Sequence, residues 1–427
     1  MSIVRNSLSR RKFIKTVGAT GLAAASGALA RPAISAPKTI KIGFVTPQTG
    51  PLAIFAEPDN FVLEQFRKAI GDGLMINGAK HPVEFIVKDS QSNSNRASTV
   101  AQELILGDEV DIITATSTPD TTNPVADQAE LNGVPCITND TPWQPHFFGR
   151  QGDPATGFRY TYHFFWGLED IISVFAGLWD QVDTNKVVGA LWPNDPDGNA
   201  WSDAGLGFPP VMAERGYKLV DPGRYQNMTD DFSAQISDFK EAGVEIVTGV
   251  CIPPDFTTFW AQAAQQGFNP KVVNVAKASE FPQAMAAIGD RADGLSVEVW
   301  WSPDHPFGSG FTGQSSAELA AEYEKATGNP WTMPLGFKHS LFEVAIDALK
   351  RSEDPTDPDS IAAAIAATAY DSCVGHIDFS KGPVPNIAKT PLVGGQWQME
   401  GGKPVLRIVE NADHPDIPAT GTMKAIG

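Results

Sequence analysis

The stretch from Thr39 to Ile70, TIKIGFVTPQTGPLAIFAEPDNFVLEQFRKAI, constrains the fold more than any other part of the chain. Ile40, Ile42 and Phe44 fall at period two and Val45 closes the run, so the segment reads as a strand buried on both faces. Pro47, Gly50 and Pro51 then force a loop. Asp59 or Asn60 can cap the next helix, in which Val62, Leu63, Phe66 and Ile70 share one stripe. A buried strand that empties into a Gly/Pro loop and returns through a helix is the unit of a parallel α/β sheet. In such sheets small ligands sit at the carboxyl ends of the strands.

The unit repeats. Strands are predicted at Val83–Lys88, Val110–Ile113 and Val134–Thr138, with helices at Ala97–Leu106 and Thr121–Leu131 between them. A Gly/Asp/Pro-rich stretch at Gly149–Gly157 can mark a boundary, after which the pattern restarts. Strands are predicted at Lys186–Trp192, Tyr217–Val220, Val244–Val250 and Lys271–Ala276. Helices are predicted at Glu169–Asp180, Ala204–Arg215 (interrupted by Pro209-Pro210), Phe232–Ala242 and Phe256–Gln266. Two βα sheets in tandem, each of about 120 residues, fit two lobes of one protein. The remainder is less regular: a strand at Leu295–Trp301, helices at Ser316–Thr327, Gly336–Arg351 and Ser360–Ala367, then short strands between Gly/Pro turns.

The formal net charge of the 427 residues is −18. The six positive charges before residue 37 (Arg5, Arg10, Arg11, Lys12, Lys15, Arg31) face no acid there, so the remainder carries 26 basic against 50 acidic residues, a net −24. Phosphate backbones would repel such a chain, which disfavours nucleic acid as a partner. Cys136, Cys251 and Cys373 show no CxxC spacing and are odd in number, as in a fold that does not depend on disulfides. Ser9-Arg10-Arg11-Lys12-Phe13-Ile14-Lys15 precedes a short, weakly apolar Ala/Gly-rich run and small residues near Ala30 or Ala36, the layout of an export signal. It resembles the twin-arginine consensus SRRxFxK at every fixed position. Past residue 36 no run of about 18 apolar residues occurs, so the mature chain is expected to be soluble.

IKIGFVTPQTGPLAIFA, EFIVKDSQSNSNRASTVAQELI, VDIITATST and DRADGLSV, in that order and spacing, resemble the branched-chain-amino-acid class of periplasmic solute-binding proteins that serve ABC importers. The resemblance covers nearly all of residues 38–410. It implies two Rossmann-like lobes joined by three crossover strands, with lobe 1 at 38–157 plus 302–390 and lobe 2 at 158–301 plus 391–427. It also implies a cleft that closes on ligand by hinge motion, a periplasmic location, a monomer, an ABC permease as partner, and no cofactor or metal.

The same resemblance places candidate ligand contacts on the strand-end loops. On lobe 1, Phe55 matches an aromatic that covers the ligand. Ser117, Thr118 and the backbone near Pro119 match a hydroxyl-and-amide cradle for a carboxylate, with Thr141 and Trp143 on the next loop. Such groups suit a carboxylate because charge-assisted hydrogen bonds replace its hydration shell, although each Ser or Thr equally suits turn capping. On lobe 2, Trp192, Asp195 and Asp197 end one strand, Ile252, Pro253 and Asp255 another and Lys277 a third, with Trp300 and Trp301 further on. The family's amino-acid binders place an acid where this chain aligns Lys277. A lone ammonium there favours an anionic ligand end; the alternative is that Lys277 pairs with Glu280 or Asp255. Phe164, Phe165, Trp166, Trp192, Trp300 and Trp301 fit either core or an apolar, stacking-competent pocket. Asp195, Asp197 and Asp255 can cap helices or hold an amine or guanidinium, and with tryptophan would suit a quaternary ammonium.

The expected function is therefore capture of a small organic solute, favouring a hydrophobic or aromatic carboxylate, with an amino acid or amide as the alternative. A ligand sensor docking on a membrane receptor fits the same sequence. An exported α/β hydrolase has less support, since the chain contains no GxSxG, HExxH or P-loop and its seven histidines follow no ligand spacing.

Overall fold

The computed structural model describes residues 37–427, so the export signal expected over residues 1–36 lies outside the described residues. The chain opens with β1 (Ile40–Thr46), fully buried but for Lys41, as its apolar period dictates. It continues through α1 (Asp59–Ile70), a hairpin of β2 (Leu74–Ile76) and β3 (Ala79–His81), β4 (Val83–Asp89) and α2 (Ser94–Gln102). Next come β5 (Ile112–Ala115), α3 (Pro119–Asn132), β6 (Cys136–Thr138), α4 (Trp143–Phe147) and β7 (Thr161–Phe164). A second series follows: α5 (Leu168–Asp180), β8 (Val187–Pro193), α6 (Pro196–Trp201), α7 (Phe208–Glu214), β9 (Lys218–Val220), β10 (Arg224–Tyr225), α8 (Ser233–Ala242), β11 (Ile246–Cys251), α9 (Pro253–Gln265), β12 (Val272–Lys277), α10 (Pro282–Ile288) and β13 (Ser296–Val299). The chain ends with α11 (Ser316–Thr327), α12 (Met333–Arg351), α13 (Pro358–Ala366), a hairpin of β14 (Ala369–Ser372) and β15 (Gly375–Asp378), then β16 (Ile387–Ala388), β17 (Val393–Glu400) and β18 (Lys403–Glu410).

Two sheets organise these elements. The first runs β16-β7-β6-β5-β1-β4, parallel throughout. The second runs β10-β8-β11-β12-β13-β17-β18, with β9 also paired to β8; it is parallel as far as β13 and antiparallel beyond. In each sheet the order reverses once, between β1 and β5 in the first and between β8 and β11 in the second, and such switch points open a crevice at the carboxyl ends. The chain passes between sheets three times: after β7, after β13 and after β16. Because Thr161–Phe164 pairs with β6, the first passage follows Phe164, a few residues after the 157/158 boundary that the resemblance implies.

Two local expectations are corrected. Asp59 does not cap α1: Pro58 stands at the cap, and the Asp59 carboxylate is buried 2.6 Å from Lys338 Nζ. Pro209-Pro210 opens α7 rather than interrupting a helix, since a first-turn proline forfeits no helical hydrogen bond. The three cysteines are free and buried. No helix among the described residues is long and apolar enough to cross a membrane.

Candidate functional site

Loops from the carboxyl ends of both sheets line one narrow, partly enclosed cavity. Phe55 comes from the short 3-10 turn after β1, and Ser117 and Thr118 from the loop after β5, so these three flank the switch point of the first sheet. Asp140 and Pro142 follow β6. The opposite wall consists of Asp197 after β8, Val250 on β11, Ala276 and Lys277 at the end of β12, Glu280 just beyond, and Glu298 on β13. Phe165, Trp166 and Trp300 belong to the passages between sheets, and Trp201 comes from α6. Trp300 meets Phe165 edge-on at 5.3 Å between ring centroids and Phe337 at 5.0 Å, which fixes the aromatic part of the lining.

Backbone conformation aims several of these residues. Ser117 (φ 114°), Asp140 (φ 59°) and Lys277 (φ 63°) all lie at positive φ without being glycine. Such geometry is uncommon for L-residues and concentrates where the surrounding structure holds a functional loop in place. Each of the three ends or follows a strand and lines the cavity.

The electrostatics differ from the sequence expectation. Lys277 is no lone ammonium: its Nζ lies 2.6 Å from Asp197 and 3.6 Å from Asp195, and it pairs with neither Glu280 nor Asp255. Burial pulls the Lys277 ammonium down, but Asp195, Asp197 and Asp120 outweigh it and hold it well above its ordinary range. Asp195 also caps α6, accepting the Gly198 N–H at 2.8 Å. Burial lifts Asp197 to about 6 against the pull of Lys277, and lifts Asp140 to about 7 against Lys338 and a bond from Thr116. Glu280 accepts the Lys277 N–H at 2.9 Å. Burial raises Glu280 and Glu298 as well, and the charge of Glu280 raises Glu298 further. Asp140, Asp197, Glu280 and Glu298 thus line a cavity whose one amine, Lys277, is already paired.

Several lining atoms have no hydrogen-bond partner within the protein: Ser117 Oγ and Thr118 Oγ1 on one wall, and Asp197 Oδ1, Glu280 Oε2 and both Glu298 oxygens on the other. The indole N–H groups of Trp166 and Trp201 are also free, and that of Trp300 points toward Glu280 without completing a short bond. Buried polar groups without partners are costly, so this lining is chemically fit to receive a polar solute with an apolar middle.

Of the expected contacts, Phe55, Ser117, Thr118, Asp197, Lys277 and Trp300 line this cavity. Ile252 lines the wider mouth beside it, with Asp120 and Asp195. Four others stand outside. Trp192 is turned into the lobe-2 core, 5.6 Å from Phe208 and 6.1 Å from Trp201 between centroids, because β8 is covered on that face by α6 and α7. Trp143 opens α4 and donates to Glu169 Oε1 at 3.1 Å. Thr141 is buried, with its carbonyl bonded to His163 Nε2 at 2.7 Å. Pro253 begins α9, where its ring serves the first turn. Asp140, Trp201 and Glu298 were not singled out in the sequence. Glu298 carried a signal, an acid inside the apolar run Val297–Trp301, whereas Trp201 carried none.

Above the cavity the lobes touch. Leu52 and Phe55 pack with Ile252 and Phe281 in a separate apolar cluster, and the rings of Phe55 and Phe281 meet edge-on at 4.9 Å.

Two doubly wound sheets that face each other across a polar cleft define a type I periplasmic binding protein. A family profile described as periplasmic binding protein matches residues 39–402, and the chain belongs to that family. It is 22% identical over 355 residues, 82% of this chain and 88% of the relative, to a leucine-, isoleucine-, valine-, threonine- and alanine-binding protein of Pseudomonas aeruginosa. A leucine binding protein of Thermotoga maritima superposes with a TM-score of 0.71 at 18% identity, over 88% of this chain and 99% of that one. An ABC transporter solute binding protein of Rhodopseudomonas palustris, solved with 3,4-dihydroxybenzoic acid, superposes with a TM-score of 0.70 at 22% identity, over 87% and 96%.

Proposed function

We propose that this chain is the periplasmic solute-binding component of an ABC importer and that its solute is small, with a hydrogen-bond acceptor at one end and an ammonium at the other, as in an amino acid. The observation that carries this reading is the opposition of free groups across one cavity. Unpartnered hydroxyls of Ser117 and Thr118 offer donors on lobe 1, and unpartnered oxygens of Asp197, Glu280 and Glu298 offer acceptors on lobe 2. With Lys277 already neutralised by two aspartates, a ligand's carboxylate gains little on that wall, whereas its ammonium meets excess negative charge. Glu280, three residues past Lys277, occupies the acid's role that the alignment left open. The family supports a permease partner and a monomeric state as part of this reading, and the motif at Ser9–Lys15 supports export through the twin-arginine pathway.

One observation favours a second reading. Trp166, Trp201 and Trp300 give the cavity an aromatic lining, and the Rhodopseudomonas relative is in complex with a dihydroxybenzoic acid. A ring hydroxyl can donate to the lobe-2 carboxylates as an ammonium does. A thermal-shift panel of L-leucine, L-phenylalanine, 4-hydroxybenzoate and benzoate separates the two, because a ligand that binds only the folded state raises Tm by mass action. An amino acid is expected to raise Tm, and benzoate, which has no donor opposite its carboxylate, is not. Stabilisation by hydroxybenzoate alone would establish the second reading. Stabilisation by benzoate with no response to amines would overturn both, and ester turnover by the pure protein would replace them with the hydrolase.

A further inference from the structure

Glu280 and Glu298 are both buried, line the same cavity, and lie within hydrogen-bonding reach of each other. They come from different elements: Glu280 from the loop after β12, held by the Lys277 N–H, and Glu298 from the middle of β13. Glu298 has no donor on either oxygen, and Glu280 has one free oxygen. Opposite Glu298 in the antiparallel register stands Gly394 of β17, which brings no charge. The surrounding elements supply Lys277 as the facing cation, and Asp195, Asp197, Asp120 and Asp140 as further acids. Lys338 lies behind Asp140, tied to Asp59, and α5, packed on β13, presents Glu169 and Asp170 to Lys389. Two buried carboxylates within hydrogen-bonding reach on one cavity wall, with their nearest cation engaged by Asp195 and Asp197, cannot both stay ionised; the pair keeps a proton.

We infer that Glu280 and Glu298 share one proton in the ligand-free protein and release it when the cavity takes an ammonium group, so that solute capture is coupled to proton release. The inference rests on the amine-bearing solute proposed above. The positive charge the pair requires comes from the proton before binding and from the ligand after it. Linkage then fixes the sign. Affinity for an ammonium ligand rises with pH, by up to about tenfold per pH unit, wherever the free protein holds the proton and the complex does not. An anion with a ring hydroxyl leaves the proton in place and shows no such rise.

Isothermal titration with L-phenylalanine near pH 7, in phosphate and in Tris, reads the proton directly, because the two buffers differ in ionisation heat. We expect about one proton released per ligand in the wild type. Glu298→Gln removes one of the proposed ammonium acceptors, so it should bind more weakly; at saturating ligand it should release markedly less, and its affinity should stay flat between about pH 6 and about pH 8. Carbon-13 NMR of labelled glutamate in the ligand-free protein is the second measurement: beside Glu57, a further carboxyl that titrates above its usual range should be present in the wild type and missing in Glu298→Gln. If no such group is found, the inference fails whatever the ligand. An amine that binds with equal heat in both buffers would overturn the coupling and leave the amine reading standing. A titrating pair in a protein that takes no amine would overturn the amine reading and the coupling with it.

Discussion

Single residues in this site carry more acid than the cleft can keep ionised, and Asp140 is the clearest case. Burial pushes its carboxyl from an ordinary 3.8 to about 7, with Lys338 and Thr116 pulling the other way. A folded-state pKa above the unfolded one contributes stability that is fully present below the unfolded value and lost as pH rises through the folded value. Asp140 therefore withdraws stability between about pH 4 and about pH 7, by up to roughly 1.4 kcal/mol for each pH unit. Asp140→Asn cannot ionise, so its Tm relative to the wild type should climb across that window. A difference that stays flat over the same range would show that the native carboxyl is not held neutral. Glu57, raised to about 7, and Asp255, raised to about 6, act in the same direction. None of this was legible from residue types alone. The sequence placed Lys277 at a strand end, but the aspartates that neutralise it belong to a loop after a different strand. Pairing between strand ends is a property of the sheet, not of the local pattern.

The elements that position the site were legible where their period was long and were missed where they were short. The helix at Ser316–Thr327 was expected over those same residues, since a capping box at Ser315 and Glu318 opens it and Gly328 at positive φ ends it. β7 was not expected: four buried residues rich in aromatics show no alternation that distinguishes a strand from a helix turn. The hairpins β2–β3 and β14–β15 escaped because their strands are only three or four residues long, too short for a period to register. α12 shows what an element can hide. The apolar stripe from Phe337 to Ala348 was visible, yet the helix is buried nearly all round and carries Lys338 to the Asp59 carboxylate under the site. Its approach to the passage after β13 depends on Gly336, where an added Cβ would sit 2.4 Å from the Trp301 ring. Trp301 is itself pinned by its N–H to Ser316 Oγ at 3.2 Å. Gly336→Ala should therefore cost about 1–3 kcal/mol in chemical denaturation, as overpacking does, and perturb tryptophan fluorescence. Gly107→Ala, whose Cβ meets nothing within 4 Å, should stay within about 0.5 kcal/mol of the wild type. Equal stability in the two variants would mean that α12 slides to accommodate the methyl group.

At the scale of the whole molecule, the apolar cluster above the cavity joins two bodies that the chain links only through three passages. Lobe 1 contributes Leu52 and Phe55, and lobe 2 contributes Ile252 and Phe281, each nearly inaccessible to solvent. Both sides belong to strand-end loops, so the cluster can form only while the lobes are together. Glu57 and Gln283 lie near each other beside it. In hinge proteins the apparent affinity scales with the fraction of molecules in the binding-competent arrangement. The cluster therefore bears on affinity separately from the acids proposed to read the solute. Phe281→Ala removes the ring that meets Phe55 while leaving Glu280 and Glu298 in place. Its ligand-free form should scatter with a larger radius of gyration than the wild type, and saturating ligand should bring the two curves together. Ligand affinity should fall with the closed fraction. Leu131→Ala, at a side chain 78% exposed on the far end of α3, should change neither quantity. Identical scattering of wild type and Phe281→Ala without ligand would show that the passages alone hold the lobes together.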